Sequence, residues 1–400
     1  MTVRAPLQCV SCESIIVTRT QIGHRDVQSH SFPCPQCGIT ISYILDLDQK
    51  QADFKFRPAQ NAKWVDSEAG AIATLAFSDE IPVPVDIPDH FSPFVLTAFN
   101  FVDRDDYRKD EALRQVWIKS TFQFCERCRI HFERGNWRLF DKESPPSPDR
   151  RPTPSSRVVD LYNCLQAGFS KFALNTQGRQ QRVIQRLTLA RTISAPLYTQ
   201  LVEYCRSNGI IRALWTEIAN IRRLIVENYN ALQPLIQTRY WEQRIDVDFF
   251  RLSDKRFNPL RQLYIDTFET LCRLMTIAIG VEAIIHHGSL EIPASKRKLT
   301  LVDFQALKSA NKKYFIARYP IADLFLDVID TELRNGVGHH SAHYDANSDL
   351  VVLYDSKGAR RVTRTMPYTR FCDCLLQLFS AFELAAMYHH SVHIDLGGRF

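Results

Sequence analysis

The amino-acid sequence predicts an α+β fold, with a β-containing N-terminal half and a mainly α-helical C-terminal half. Of its 400 residues 45% are hydrophobic, enough to bury the cores of about two or three domains. Five prolines lie in the polar segment 143–156 and exclude a helix or a central strand there. Apolar residues alternate in short runs before this segment and recur at helical spacing after it. The predicted organisation is therefore a cysteine-containing domain at 1–60, a β-containing region with a closing helix at 61–142, a linker at 143–156, a helical region at 157–257 and a helical domain at 258–400.

The N-terminal half is predicted to contain three short strands and one long helix. Alternating apolar residues predict strands at 15–20, 39–47 and 71–77. Prolines at 82, 84, 88 and 93 interrupt regular structure after the third strand. A helix over about 110–137 then closes this half.

The C-terminal half is predicted to be a set of helices with one hairpin. Helical periodicity marks the segments 157–172, 182–206, 210–232, 258–286, 303–313, 320–337 and 368–390. The apolar runs 350–354 and 359–365 flank the turn residues 355–358, which suits an antiparallel pair.

Charge and cysteine content predict a cytoplasmic protein without a membrane segment. The net charge of +6 is mild for this length, so the basic clusters permit a polyanionic partner without requiring one. Eleven cysteines, an odd number that includes closely spaced pairs, favour reduced thiols and metal binding over a disulfide framework. The longest apolar run, 271–285, is interrupted by Arg273 and Glu282 and does not read as a membrane span.

Two cysteine pairs near the N-terminus predict a metal site. Cys9 and Cys12 form one C-x2-C knuckle, and Cys34 and Cys37 form a second one after 21 intervening residues. This spacing is close to that of a four-thiolate tetrahedral zinc site, and the strands at 15–20 and 39–47 supply hairpins around it. The first fifty residues thus resemble a zinc ribbon. Because all four ligands are thiolates, we expect a structural zinc ion, no catalytic metal and no further cofactor.

A second set of metal ligands is conceivable on the helix at 110–137. Cys125, Cys128 and His131 follow each other at three-residue intervals and so lie along one helix face. No fourth ligand is evident, and cysteine is a common core residue, so we favour a structural role for these thiols. We interpret Cys372 and Cys374 as structural residues. The pairs His286-His287 and His389-His390 are predicted to lie at helix ends.

The segment around Arg334 combines three polar groups suited to phosphate chemistry. Residues 323–340 read as an amphipathic helix that ends at Gly336 and Gly338. The guanidinium of Arg334 can donate two hydrogen bonds to one phosphate. Asn335 supplies amide donors and an acceptor, and His339 titrates near neutral pH. Such groups can cleave RNA without a metal, because a histidine moves protons while an arginine stabilises phosphoryl charge.

These residues resemble the HEPN superfamily, whose ribonucleases carry an arginine, usually a polar residue, and then a histidine at the spacing of Arg334, Asn335 and His339. The resemblance covers about 261–390 and implies a small helical bundle that dimerises to bring two motifs into one cleft. It also implies a metal-independent endoribonuclease that leaves 2′,3′-cyclic phosphate ends, as in prokaryotic toxins, abortive infection and antiviral defence. Arg334 would bind and stabilise the scissile phosphate, and Asn335 would orient the phosphate or the histidine. His339 would act as general base or acid, and His340 would assist or replace it. The same spacing at Arg25 and His30 falls between the cysteine pairs and carries no meaning.

Other interpretations of the Arg334 segment remain open. Arg334 can pair with Asp330 one turn earlier while His339 caps the helix end, which would be a structural role. His339 and His343 can bind a metal, although the local sequence identifies no further ligand. The chain can also be a non-catalytic RNA-binding or assembly module, in which the bundle dimerises and the zinc ribbon recruits a partner. In either case we expect RNA as a partner, a protein or nucleic-acid trigger at the ribbon, and a homodimer. The apolar stripes at 263–285 and 375–387 are either its interface or internal core.

Overall fold

The structure is a computed structural model, and it describes most of the chain. The described residues are 2–23, 26–48, 53–79, 83–84, 104–144, 153–169, 172, 177–240, 246–294, 298–338, 341–345, 348–354 and 361–399. Most of the predicted linker, the hairpin turn at 355–358, and the predicted catalytic residues His339 and His340 lie outside these ranges.

The strands form several small sheets. In chain order they are β1 (Thr2–Cys9), β2 (Ile15–Gln21), β3 (Val27–Pro33), β4 (Thr40–Asp48), β5 (Asp53–Gln60), β6 (Ala62–Trp64), β7 (Ala71–Phe77), β8 (Val83–Pro84), β9 (Phe250–Arg251), β10 (Ile292–Pro293), β11 (Lys298–Leu299), β12 (Ala342–Asp345), β13 (Leu350–Tyr354) and β14 (Val362–Pro367). The sheet orders are β6-β1-β2-β7, β3-β4-β5 and β12-β13-β14, and β8-β9 and β10-β11 form two-stranded pairs. The strands predicted at 15–20, 39–47 and 71–77 are confirmed, as is the C-terminal hairpin, to which β12 adds a third strand.

Helices occupy most of the remaining described chain. They are α1 (Arg104–Glu133), α2 (Trp137–Glu143), α3 (Pro154–Phe169), α4 (Gln177–Ile193), α5 (Ala195–Ser207), α6 (Ile210–Glu227), α7 (Tyr229–Tyr240), α8 (Phe257–His287), α9 (Leu301–Ala306), α10 (Ser309–Ile316), α11 (Ala322–Phe325), α12 (Thr331–Gly338) and α13 (Tyr368–Asp395), with a 3-10 turn at Leu326–Val328. The mixed α+β class is therefore confirmed.

Four predicted helices are each divided in the structure. The helix predicted at 182–206 breaks at Ser194, whose hydroxyl caps the N–H of Leu197, because Pro196 is tolerated only in a first turn. The segment 210–232 divides between α6 and α7, and the segment 303–313 divides between α9 and α10. The predicted helix 320–337 is replaced by α11, the 3-10 turn and α12. There the Asp330 carboxylate accepts the Leu333 N–H at 2.9 Å and starts a new helix.

The chain divides into two compact units, each assembled from separated segments. Unit 1 comprises 1–115, 227–262 and 335–375, and unit 2 comprises 116–226, 263–334 and 376–400. In unit 1, one hydrophobic cluster contains side chains from the five strands β1, β2, β3, β4 and β7. It includes Leu7, Ile16, Phe32, Tyr43 and Phe77. In unit 2, the core contains the buried faces of α8 and of the second part of α13.

One described helix, α13, is long and apolar enough to cross a membrane by length and composition. However, 78% of its most apolar window is buried within the structure, as in the core helix of a folded domain. The two apolar stripes considered as a dimer interface, 263–285 and 375–387, are also mostly buried within the chain, so both serve as core. His389 and His390 are buried inside α13 and not at its end, because the helix continues to Asp395.

Candidate functional site

Each of the two cysteine knuckles forms the turn of a β-hairpin. Cys9 is the last residue of β1 and Cys12 lies between β1 and β2, whereas Cys34 and Cys37 both lie between β3 and β4. The Cys9 N–H donates to the Ser14 carbonyl at 2.9 Å, and the Cys34 N–H donates to the Ile39 carbonyl at 2.8 Å.

The two turns also share an unusual backbone conformation. In each knuckle, the residue four positions after the first cysteine has a positive φ, which is 61° at Glu13 and 74° at Gly38. In both turns the N–H of that residue donates back to the carbonyl of the first cysteine, at 2.9 Å. The two knuckles are therefore equivalent structures, although only the second has the glycine that this conformation favours.

The four sulfur atoms converge on one point. They all lie within 4.8 Å of one another, with Sγ to Sγ distances of 3.7 Å between Cys9 and Cys37 and 3.5 Å between Cys12 and Cys34. Thiolates bound to one tetrahedral zinc ion at about 2.3 Å lie about 3.8 Å apart, so the observed spacing matches a metal-binding arrangement. The quartet can therefore bind a metal ion.

The protein environment affects the cysteine thiols of the quartet in different ways. The hydrogen bond between Cys12 Sγ and Ser14 Oγ, 3.4 Å long, lowers the pKa of the Cys12 thiol to about 6. Burial raises the pKa of the Cys34 thiol, although the N–H groups of Cys37 and Gln36 oppose that rise. A bound cation would overcome the burial effect, because it favours the thiolate at every ligand.

The second predicted site lies on α12, a helix of eight residues. Leu333 and Val337 are fully buried and anchor one face of the helix. Gly336 is required by close packing, because a Cβ atom there would lie 2.9 Å from the side chain of Leu353 on β13. The Ser341 hydroxyl donates to the Gly336 carbonyl at 3.0 Å and satisfies part of the helix end.

Arg334 is half-buried and forms an ion pair with a residue of the long helix α8. Its Nε donates to Glu269 Oε1 at 2.7 Å, and its Nη2 contacts the same oxygen. The Arg334 side chain is 26% exposed and the Glu269 side chain is 32% exposed. Asn335, the next residue of α12, is exposed. His339 and His340 follow this helix directly in the chain but lie outside the described residues.

Sequence reasoning missed two residues that the structure brings to these sites. Glu269 is one of three acidic residues in a helix that was predicted from its apolar pattern, and nothing in the spacing connects it with Arg334. Cys164, on α3, lies beside Cys125 of the second cysteine set, with 3.2 Å between the sulfur atoms. His343, the other candidate ligand near the motif, is exposed on β12. In the part of the chain that the structure describes, the quartet is the only group of three or more metal-ligating atoms that all lie within 4.8 Å of one another.

Comparisons with protein-family models, curated proteins and solved structures find no match to this chain. The function of this chain is therefore inferred from the chemistry of the cysteine quartet and of the segment around Arg334.

Proposed function

We propose that this chain is a metal-independent endoribonuclease of the HEPN type that carries one structural zinc ion in an N-terminal zinc ribbon. The observation that carries the proposal is the setting of Arg334. The Arg334 side chain is partly exposed and its guanidinium is held by a carboxylate from another helix, and Asn335, an exposed residue with an amide side chain, follows it directly. Preorganised charge of this kind is what stabilisation of a phosphoryl transition state requires.

The zinc part of the proposal rests on the geometry of the quartet. Four sulfurs at tetrahedral spacing leave no position for a reacting water, so the ion would hold the two hairpins together and take no part in catalysis. Zinc fits the all-thiolate ligand set better than magnesium or calcium, which prefer oxygen ligands. The hairpins would then form a folded surface for a nucleic-acid or protein trigger.

In the proposed reaction a ribose 2′-hydroxyl attacks the adjacent phosphorus, the 5′-oxygen leaves, and a 2′,3′-cyclic phosphate forms. His339 would accept the proton of the attacking hydroxyl or donate one to the leaving oxygen, with His340 assisting or replacing it. Arg334 would stabilise the negative charge that develops on the phosphoryl oxygens, and Asn335 would orient the phosphate or the histidine.

Glu269 would position the guanidinium of Arg334 in the proposed site. Arginine remains protonated at all physiological pH values, so Glu269 is not needed to keep Arg334 charged. The carboxylate instead fixes the direction of the guanidinium plane, which a long flexible side chain would otherwise not maintain. Glu269→Gln keeps the size of the side chain and removes its charge, and we expect it to reduce RNA cleavage without abolishing it.

The test is cleavage of total RNA by the purified chain in the presence of EDTA. Arg334→Ala and His339→Ala should each lower the cleavage rate by about a hundredfold or more, the usual cost of losing one preorganised catalytic group. Arg273→Ala is the matched control, because Arg273 lies on α8 and likewise pairs with an acidic residue, Glu217, outside the motif. It should cleave at the wild-type rate.

The chemistry of the product ends gives a second readout. Fragments from the proposed reaction should resist 3′-end tailing until an enzyme removes the cyclic phosphate. An Arg334→Ala protein that cleaves as fast as the wild type, or products with free 3′-hydroxyl groups, would contradict the proposal.

The ion pair of Arg334 also favours a second candidate function, a non-catalytic RNA-binding or assembly module. An arginine engaged by Glu269 has a structural role even without substrate. In that case the wild-type chain would bind RNA in a gel-shift assay and leave it intact, and the variants would alter folding and not cleavage.

The biological setting is proposed from the same resemblance. A ribonuclease of this type would act as a toxin or an antiviral defence effector in the cytoplasm, as a homodimer in which two Arg334 motifs share one cleft. Because the apolar stripes at 263–285 and 375–387 are mostly buried within the chain, such a dimer would use other surfaces.

A further inference from the structure

Unit 2 contains a second group of cysteines, separate from the N-terminal quartet. Cys125 and Cys128 lie one turn apart on α1, and Cys164 lies on α3. The sulfur of Cys164 is 3.2 Å from that of Cys125, and the Cys125 thiol donates to the Cys164 carbonyl oxygen at 3.5 Å. Cys164 therefore contacts Cys125 directly, and Cys128 lies one helical turn from Cys125.

The packing around these thiols brings the two helices close together. Cys125 and Cys128 are fully buried, whereas Cys164 is half-buried. Gly168 lies one turn after Cys164 on α3, and a Cβ atom at that position would be 3.0 Å from the sulfur of Cys125. The missing side chain thus makes room for the Cys125 sulfur beside Cys164.

The spacing differs from that of the metal-binding quartet. Within the described residues, the quartet is the only group of three or more ligand atoms that all lie within 4.8 Å of one another. The second group is therefore a close pair of thiols with a third thiol next to it, and not a preformed cage for an ion. Paired thiols in van der Waals contact are the usual precursors of a disulfide.

We propose that Cys125, Cys128 and Cys164 form a peroxide-sensitive site, in which oxidation joins Cys164 to a cysteine of α1 through a disulfide bond. The oxidant is a hydroperoxide, and a dithiol reductant reverses the reaction. The bond would connect α1 to α3 across the segment that contains α2 and the proline-rich linker.

The first step consumes the hydroperoxide. Cys164 is the only one of the three thiols that is partly exposed, so a hydroperoxide from solvent can reach its sulfur. The Cys164 sulfur loses its proton and attacks one peroxide oxygen, the O–O bond breaks, and an S–O bond forms. The other oxygen takes up a proton and leaves as an alcohol, or as water when the oxidant is hydrogen peroxide, and Cys164 becomes a sulfenic acid.

The second step forms the disulfide. The Cys125 sulfur, 3.2 Å away, attacks the Cys164 sulfur, the S–O bond breaks, and water leaves with the Cys125 proton. Two thiols have then lost two electrons to the peroxide. Cys128 can next attack Cys164, which moves the disulfide to the Cys128–Cys164 pair and releases Cys125 as a thiol.

The test is oxidation of the full-length, zinc-loaded chain by hydrogen peroxide, followed by alkylation, trypsin digestion and mass spectrometry without reductant. Trypsin cleaves after Arg127 and so separates Cys125 from Cys128, which identifies both possible pairings. We expect a cross-linked peptide that contains Cys164 and one of the two α1 cysteines, and its mass should be two hydrogens below the sum of the reduced peptides. The cross-link should disappear after treatment with a dithiol.

Three variants make the result specific. Cys164→Ser should abolish the cross-link, whereas Cys205→Ser, which removes a buried thiol of α5, should leave it unchanged. Gly168→Ala should slow its formation severalfold by displacing the Cys125 sulfur. The proposal is overturned if the wild-type chain gives no such cross-link at peroxide concentrations that oxidise Cys205, or if Cys164 is recovered only as sulfinic acid.

Discussion

Acidification should destabilise unit 2 because three histidines are buried on one face of α13. His389, His390 and His393 are nearly inaccessible to water. His390 stacks on Tyr162 with ring centroids 4.0 Å apart, and His393 Nδ1 shares a 2.6 Å hydrogen bond with the hydroxyl of the same tyrosine. Burial lowers the pKa of His389 to about 3 and that of His393 to about 4, and burial together with the charge of Arg222 lowers the pKa of His390.

The magnitude follows from proton linkage. Unfolding returns each imidazole to a pKa of about 6.5, so the unfolded chain binds protons below that pH while the folded chain does not. Stability is therefore fully present above pH 6.5 and falls as the pH decreases toward about 4. Between pH 7.5 and pH 5.5 each histidine contributes a loss of about 1.4 kcal/mol, and the three together about 4 kcal/mol.

The assay is urea unfolding at both pH values, followed by circular dichroism. His390→Phe keeps an aromatic ring against Tyr162 and removes one titrating group, so the difference between the two pH values should shrink by about 1.4 kcal/mol. Phe382→Leu, a buried change on the same helix, should lower stability equally at both pH values. A wild-type chain whose unfolding free energy is the same at pH 7.5 and pH 5.5 would refute the reasoning.

Three further predictions concern the metal, the core and the assembly. Elemental analysis should find one zinc ion per natively purified chain. The Cys34→Ser variant should lose the ion, and its turn at 34–40 should become sensitive to protease. A chain that contains no zinc and still has intact hairpins would contradict this prediction. Glu383→Gln should reduce the unfolding free energy by about 3–5 kcal/mol, since the buried guanidinium of Arg222 would lose its bidentate partner. A loss below about 1 kcal/mol would show that this ion pair does not stabilise the fold. Light scattering should give the mass of a dimer, and a monomer that cleaves RNA at a concentration-independent specific rate would rule out a shared cleft.

Local sequence determined the elements whose signals come from neighbouring residues. The two C-x2-C knuckles and the strands beside them are set by spacing and alternation, and the structure places all four sulfurs together. The long helices α8 and α13 and the C-terminal hairpin are equally well predicted, because each has a sustained apolar period. Helix boundaries were predicted less well. Capping residues such as Ser194 and Asp330 end or start helices within runs that keep a helical pattern.

Contacts between distant segments were decided only by the tertiary structure. Glu269 holds Arg334 across 65 positions, and Cys164 reaches Cys125 across 39 positions, although neither pairing has a sequence signal. The same holds for His389 and His390, which were predicted at a helix end and are buried within α13. Sequence patterns report which residues share one face of one element, because that depends on the local backbone period. Which faces meet depends on how the separate segments of each unit pack, and that packing minimises a free energy to which the whole chain contributes.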